Sequence, residues 1–396
     1  MLKTPREELG RRIASLQARM AQDDIAAALI VQNVDLYYFT GTVQQAQFLV
    51  PRDGDPVLFA RKNPERVREE STVENIVPLS SPKDLPARCA DFGYGHFERL
   101  GMELDVLPVN QYFRYLKTLR PKEIVDISPA IRAVRMVKSG YEIGLMEEVA
   151  VLADFMVQTA REALKAGVTE IEIAARVEAA ARARGHQGLA RMRGFNQEVY
   201  WGHLVAGPDA AVPTFVDFIT GGRGLNLAFP SGSSTRPIKR HEPVVCDLCA
   251  VMYGYHVDQT RTMSVGPLPD RLKHAYDVSL VILHALERMI RPGLVSGEIF
   301  GEGERIAASQ GLAHHFMGYG SGKASFVGHG VGLELDEIPV LTREAKVPLE
   351  PGMVLAVEPK FTFPGLGVVG VEDNFVVTES GCAKLNGASY TVEVSG

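Results

Sequence analysis

The stretch Pro243-Val-Val-Cys-Asp247-Leu-Cys-Ala-Val-Met-Tyr-Gly254-Tyr-His-Val-Asp258-Gln-Thr-Arg-Thr262 decides how the chain folds. It is rich in apolar residues, and its one turn signal falls at Met252 to Gly254. Two strands joined as a hairpin satisfy that pattern. Asp247 and Asp258 are eleven residues apart and straddle the turn, so they sit opposite or nearly opposite each other. Cross-strand neighbours on one face lie close enough for both carboxylates to touch one ion.

A second stretch repeats the arrangement: Val354-Leu-Ala-Val-Glu358-Pro-Lys-Phe-Thr-Phe-Pro364-Gly365-Leu-Gly-Val-Val-Gly-Val-Glu372-Asp373. Pro364-Gly365 marks its turn. Glu358 and Glu372 each lie seven residues from Gly365 and should face each other across the ladder. Buried carboxylate pairs repel, and burial disfavours their ionised form. The arrangement makes sense if cations fill the space between them. His329, in Gly328-His329-Gly330-Val331-Gly332, completes the set. Its flanking glycines let the backbone approach closely and leave the imidazole free to project. Four carboxylates and one neutral imidazole are balanced by two divalent cations.

Outward from these hairpins, the chain reads as two domains. Residues 7–22 carry Leu9, Ile13, Leu16 and Met20 at helical spacing. Ile25 to Val31 reads as a buried strand. Gln47–Val50 and Pro56–Phe59 flank a hairpin-type signal at Asp53-Gly54. Strands and helices alternate to about residue 130, so this part reads as α/β. Helices are then expected over roughly 138–165, from a capping box at Thr169 and Glu172 to about Arg184, and near 270–290 and 297–310. Glycine-rich β segments occupy 200–265 and 324–380. The boundary is placed at 133, giving domains 1–133 and 134–396, the second of α+β type.

The 396 residues are 46% hydrophobic and 23% charged, ordinary globular usage that excludes a disordered or fibrous chain. A net charge of -6, with no basic run, argues against nucleic acid as a partner. No apolar run approaches a membrane span. Met1 to Glu8 lacks the apolar core of a secretory signal, so the expected location is cytoplasmic. Cys246 and Cys249 have no second pair at zinc-site spacing and read as buried reduced thiols. Gly318 to Ala324 fails the phosphate-loop pattern, because Ala324 follows Lys323 where Ser or Thr is needed. His314-His315 reads as a weak metal pair, since adjacent side chains diverge.

At V-V-C-D-L-C with G-Y-H-V-D-Q-T-R-T, then G-H-G-V-G-L, V-E-P and G-V-E-D, the chain resembles the creatinase, aminopeptidase P and prolidase family of pita-bread metallopeptidases. The resemblance covers nearly the whole chain. It implies a pita-bread catalytic domain behind a creatinase-type α/β N-terminal domain. It implies two divalent ions, with Asp247 ligating one, His329 and Glu358 the other, and Asp258 and Glu372 bridging. Manganese, cobalt, zinc and iron all suit such mixed ligands. It also implies hydrolysis by a hydroxide held between the ions, Glu358 as general base, Xaa-Pro peptides as substrates, and a homodimer. Three positions depart from the family's habit. Ser231 stands where a Pro-His-Gly histidine is usual, Asp336 where a second histidine is usual, and Gly370 where an arginine is frequent. His203 is a candidate replacement for a lost histidine, and Asp336 a candidate partner for a cationic substrate group. These departures keep a second expectation open: a metal-dependent hydrolase or lyase of a small, non-peptide and possibly cationic compound.

Overall fold

The computed structural model describes residues 2–216 and 218–394. The chain divides into two compact units, 1–135 and 136–396.

In the first unit the helix Arg6–Gln22 buries Leu9, Ile13, Leu16 and Met20, the stripe set by their spacing. The strands are β1 (Ala27–Ile30), β2 (Ala46–Pro51), β3 (Val57–Ala60), β4 (Asn75–Pro78), β5 (Arg99–Met102) and β6 (Glu123–Asp126), in the order β4-β3-β2-β1-β5-β6. β1 is buried along its whole length, which is why its sequence shows no polar alternation. β2 and β3 pair antiparallel around Asp53-Gly54. Leu36 to Phe39 belongs to a helix, Asn33–Thr40, whose start is capped by the Gln32 side chain accepting the Asp35 N–H at 2.8 Å. Inside this unit Arg135 donates to Asp35 at 2.7 Å with both groups buried. Nearby, Glu103 Oε1 accepts the Val31 and Gln32 N–H groups at 2.9 and 3.0 Å, while its Oε2 is buried without a partner.

In the second unit the helices Gly140–Ala163 and Glu170–Ala183 each begin with a capping box, Ser139 with Glu142 and Thr169 with Glu172. The strands are β7 (Gly202–Ala206), β8 (Val244–Met252), β9 (Tyr255–Val265), β10 (Phe326–Gly330), β11 (Glu337–Thr342), β12 (Val354–Val357), β13 (Lys360–Phe363), β14 (Gly367–Gly370), β15 (Asp373–Val377), β16 (Cys382–Lys384) and β17 (Glu393–Val394). They form sheets ordered β17-β9-β8-β7 and β11-β10-β12-β15-β16, with β13-β14 a separate hairpin. Helices Asp270–Met289 and Ser296–Ser309 bury Leu272, Ile282, Leu286, Ile299 and Phe300 in a core shared with Phe316, Phe361 and Phe375. Cys246 and Cys249 are buried free thiols. Among the described residues, no helix is long and apolar enough to cross a membrane.

Both hairpins have the register their turns demand. Tyr253 and Gly254 hold φ of 57° and 86°, the two positive values a tight two-residue connection needs. Asp247 pairs with Thr260 and Cys249 with Asp258. Asp247 and Asp258 are therefore diagonal neighbours on one face. In the second hairpin Lys360 pairs with Gly370 and, one step beyond the gap, Val357 with Asp373. Glu358 and Glu372 face each other at the joint between those two ladders. His329 lies on β10, between Val340 of β11 and Ala356 of β12. A Cβ at Gly328 would stand 2.1 Å from the Ala356 carbonyl oxygen, and one at Gly330 would stand 2.4 Å from that of Ile338. The glycines are thus required by close backbone approach on both sides of the histidine.

Burial and the charge of Asp35 push the Glu103 carboxyl up to about 7. A carboxyl with a raised folded-state pKa binds more protons folded than unfolded. Its contribution is complete below the unfolded value and is lost as pH rises toward 7. Glu103→Gln keeps an acceptor for the two N–H groups and removes the titration. Its stability advantage over the wild type should grow between pH 5 and pH 8, by up to about 3 kcal/mol, in urea denaturation at the two pH values. An advantage that is flat with pH would contradict this account.

Candidate metal centre

The folding of the two hairpins and the glycine-flanked strand brings all five expected ligands to one place. Asp258, His329, Glu358 and Glu372 are buried, and Asp247 is half-buried. Their backbones are pinned from behind. The Arg261 guanidinium, buried on β9, donates to the Glu372 carbonyl at 2.8 Å and to the Asp373 carboxylate at 2.7 Å. The Glu372 N–H donates to the Thr260 carbonyl at 3.1 Å. Asn374 Nδ2 donates to the Asp258 carbonyl.

Asp258, His329 and Glu372 each offer a ligand atom, and the three atoms lie within 4.8 Å of one another. His329 Nδ1 contacts the Gly330 carbonyl at 3.0 Å. A carbonyl only accepts, so Nδ1 carries the hydrogen, and Nε2 of the neutral ring is left with a lone pair for a metal. Glu372 Oε2 accepts from Thr260 Oγ1 at 2.8 Å, while Oε1 is buried with no hydrogen-bond partner. Among the described residues, no hydrogen-bond donor meets the Asp258 carboxylate. Glu372 thus offers an orphaned buried oxygen, Asp258 an undonated buried carboxylate and His329 an imidazole lone pair. These residues fit a divalent cation.

The space between the remaining carboxylates holds a charge that the sequence reading overlooked. The Lys360 ammonium donates to Asp247 Oδ2 at 3.0 Å, Glu358 Oε2 at 2.8 Å and Glu372 Oε2 at 3.0 Å, and the side chain is 2% exposed. The signal was present in Glu358-Pro359-Lys360, since residues two apart on extended chain point to the same face. Gly370 makes the room. A Cβ there would lie 2.6 Å from Lys360 Cγ and 2.7 Å from its Cα.

The charges interact strongly. Burial and the neighbouring Glu372 and Asp247 raise the Asp258 carboxyl well above its usual range. Burial pushes Glu372 up to about 7, with Glu358 and Asp247 adding to it against the pull of Lys360. Burial alone would raise Asp247 too, yet the Lys360 ammonium outweighs it, and its pKa is lowered. Burial also works against charge on His329, but Asp336, Glu358 and Glu372 together raise its pKa.

The three substrate-binding candidates are placed differently. Asp336 and His203 line the cavity over the centre, with Phe218, Ile219, Phe326 and Leu335. Asp336 Oδ1 lies 3.4 Å from His329 Nδ1, the nitrogen whose hydrogen goes to the Gly330 carbonyl. Ser231 is not among the cavity-lining residues. Its hydroxyl lies behind, 3.2 Å from His203 Nε2. His203 Nδ1 donates to the Thr220 carbonyl at 2.7 Å, so Nε2 of the neutral ring accepts from Ser231. Burial lowers the His203 pKa and keeps it neutral. His203 Nε2 is thus an acceptor toward Ser231 in this arrangement. The cavity measures about 40 Å³, room for about three waters.

Comparison with known proteins follows the same two-unit division. Residues 144–379 match Metallopeptidase family M24, and residues 12–137 match the Creatinase/Prolidase N-terminal domain. An Xaa-Pro dipeptidase of Pyrococcus horikoshii is 28% identical over 381 residues, spanning 95% of this chain and 97% of that protein. The crystal structure of the prolidase from Pyrococcus horikoshii superposes with a TM-score of 0.80 at 25% identity, covering 96% of this chain and 99% of that one. An Xaa-Pro dipeptidase from Bacillus anthracis gives 0.83 at 22% identity over 97% and 99% of the two chains, a likeness of fold. The α+β pita-bread expectation and its creatinase-type N-terminal partner both hold.

If Asp258, His329 and Glu372 hold an ion, a divalent metal should stabilise the protein. Manganese at a hundred times its dissociation constant should add about 2.7 kcal/mol, and Asp258→Asn should abolish most of that gain in thermal unfolding. An undiminished gain in the variant would place the ion elsewhere.

Proposed function

The chain belongs to metallopeptidase family M24, and from that premise we propose that it hydrolyses the amide bond of short peptides, Xaa-Pro dipeptides first among them. The observation that carries the reading is the grouping of Asp258, His329 and Glu372, whose ligand atoms lie within 4.8 Å of one another, with Glu372 Oε1 left unpartnered. A divalent ion held there supplies Lewis acidity and lowers the pKa of water. The protein's own groups do the rest. Glu358 lines the cavity with Oε2 committed to Lys360 and Oε1 3.9 Å from His329 Nε2. Oε1 is therefore the atom that receives the proton of attacking water and passes it to the leaving amine. Asp247 lines the cavity as well and is held ionised by Lys360. The apolar wall of Phe218, Ile219 and Leu335 excludes bulk water around the scissile bond.

A second reading is favoured by Asp336. Its side chain is 40% exposed and lines the cavity, where a histidine is usual in the family. A carboxylate there would repel a developing oxyanion, whereas it would attract an ammonium or guanidinium on the substrate. That points to a small cationic amide handled by the same metal centre.

The test loads chelator-stripped protein with manganese or cobalt and offers Xaa-Pro dipeptides, a tripeptide and small cationic amides. Release of free proline is expected, with Glu358→Gln lowering kcat by about 100- to 10,000-fold. Absence of cleavage of every peptide would set the first reading aside. Cationic substrates turned over with KM raised by Asp336→Ala would establish the second, and an unchanged KM would remove it.

A further inference from the structure

We infer that the Lys360 ammonium takes the place of one of the two metal ions, so that the centre holds a single divalent ion. This rests on the metal-centre reading proposed above. An ammonium has three protons to donate. Those of Lys360 meet three carboxylate oxygens, on Asp247, Glu358 and Glu372, at 2.8 to 3.0 Å. Its donor capacity is filled, and each acceptor is one of the expected metal ligands. A divalent ion drawn to the same oxygens at about 2.0–2.2 Å would coincide with the nitrogen. The two cations exclude each other.

The acceptors have divided accordingly. Glu372, expected to bridge two ions, has one oxygen committed to Lys360 and Thr260 and the other with no partner. Glu372 thus keeps one oxygen free, and it is one of three residues, with Asp258 and His329, that each offer a ligand atom within 4.8 Å of the others. Asp247, expected to serve only the first ion, has Lys360 instead. One cation position is filled by the chain and one is left open. The charge agrees: an ammonium and one divalent ion offset three of the four carboxylate charges, while two ions and the ammonium would overshoot them.

The lysine is also built in rather than draped over the site. It pairs across the hairpin with Gly370, the position at which a side chain would collide with it. Gly370 is itself held by Thr262, whose hydroxyl donates to the Gly370 carbonyl at 2.8 Å. Lys360 lines the cavity, so its fixed charge faces whatever carbonyl is bound there.

Metal stoichiometry tests this directly. The full chain is stripped, exposed to excess manganese, desalted and analysed for metal per chain, with its manganese spin-resonance spectrum recorded. One ion per wild-type chain and an uncoupled six-line spectrum are expected, with Lys360→Ala rising to two ions. The wild-type measurement stands whether or not the variant folds. Two ions and an exchange-coupled spectrum in the wild type would overturn the inference and leave the peptidase reading intact. No ion in the wild type would overturn both. A folded Lys360→Ala that gains no ion would overturn the substitution of ammonium for metal. Peptide cleavage is scored separately, so the two readings fail by different measurements.

Discussion

Four carboxylates share one small buried space in this protein, and the rest of the catalytic unit is arranged around keeping them there. Like charges so placed cannot all remain ionised without cations between them. The fold imposes the crowding through two antiparallel hairpins whose registers bring Asp247 near Asp258 and Glu358 opposite Glu372. It then relieves part of the crowding from within. Lys360 rises from the same strand pair and binds three of the four groups. The Arg261 guanidinium, behind them, ties the two sheets together at Glu372 and Asp373. What stays unrelieved is the corner formed by Asp258, His329 and Glu372, one of whose oxygens has no partner, and there an added ion has something to gain.

Much of this was legible in the sequence because hairpin geometry is nearly deterministic. A turn position and a strand period of two fix which residues share a face. The diagonal of Asp247 and Asp258 and the opposition of Glu358 and Glu372 follow from counting outward from Gly254 and Gly365. The long helices and the Thr169 capping box were legible for the same reason, a local period with a local stop. Contacts between elements far apart in the chain were not. The pairing of Arg261 with Asp373 spans 112 residues, and no local pattern announces it. The link between Ser231 and His203 was hidden because the segment joining them has little regular structure. Leu36 to Phe39 carried no decisive period, and its helix rests on the Gln32 cap and Gly41.

Lys360 is a different kind of omission. Its position two residues beyond Glu358 was enough to put both side chains on one face. Attention to acidic and imidazole ligands passed over the base that would sit among them. A cation supplied by the protein answers the same electrostatic demand as a metal, and a reading of carboxylate clusters has to count both. The departures at Ser231, Asp336 and Gly370 then separate into distinct effects. Ser231 hydrogen-bonds a cavity histidine whose tautomer the Thr220 carbonyl sets, Asp336 lies beside the His329 ring, and Gly370 clears space for a lysine.

The last of these has a consequence for how the centre holds its positive charge. A side chain at 370 would collide with the Lys360 side chain and also with the backbone at Pro359 and Lys360. In this hairpin an arginine at 370 has no room, so the positive charge of the strand pair comes from position 360 alone. That charge is covalently tethered. No chelator can strip it from the centre, and no change in the supply of ions can alter it.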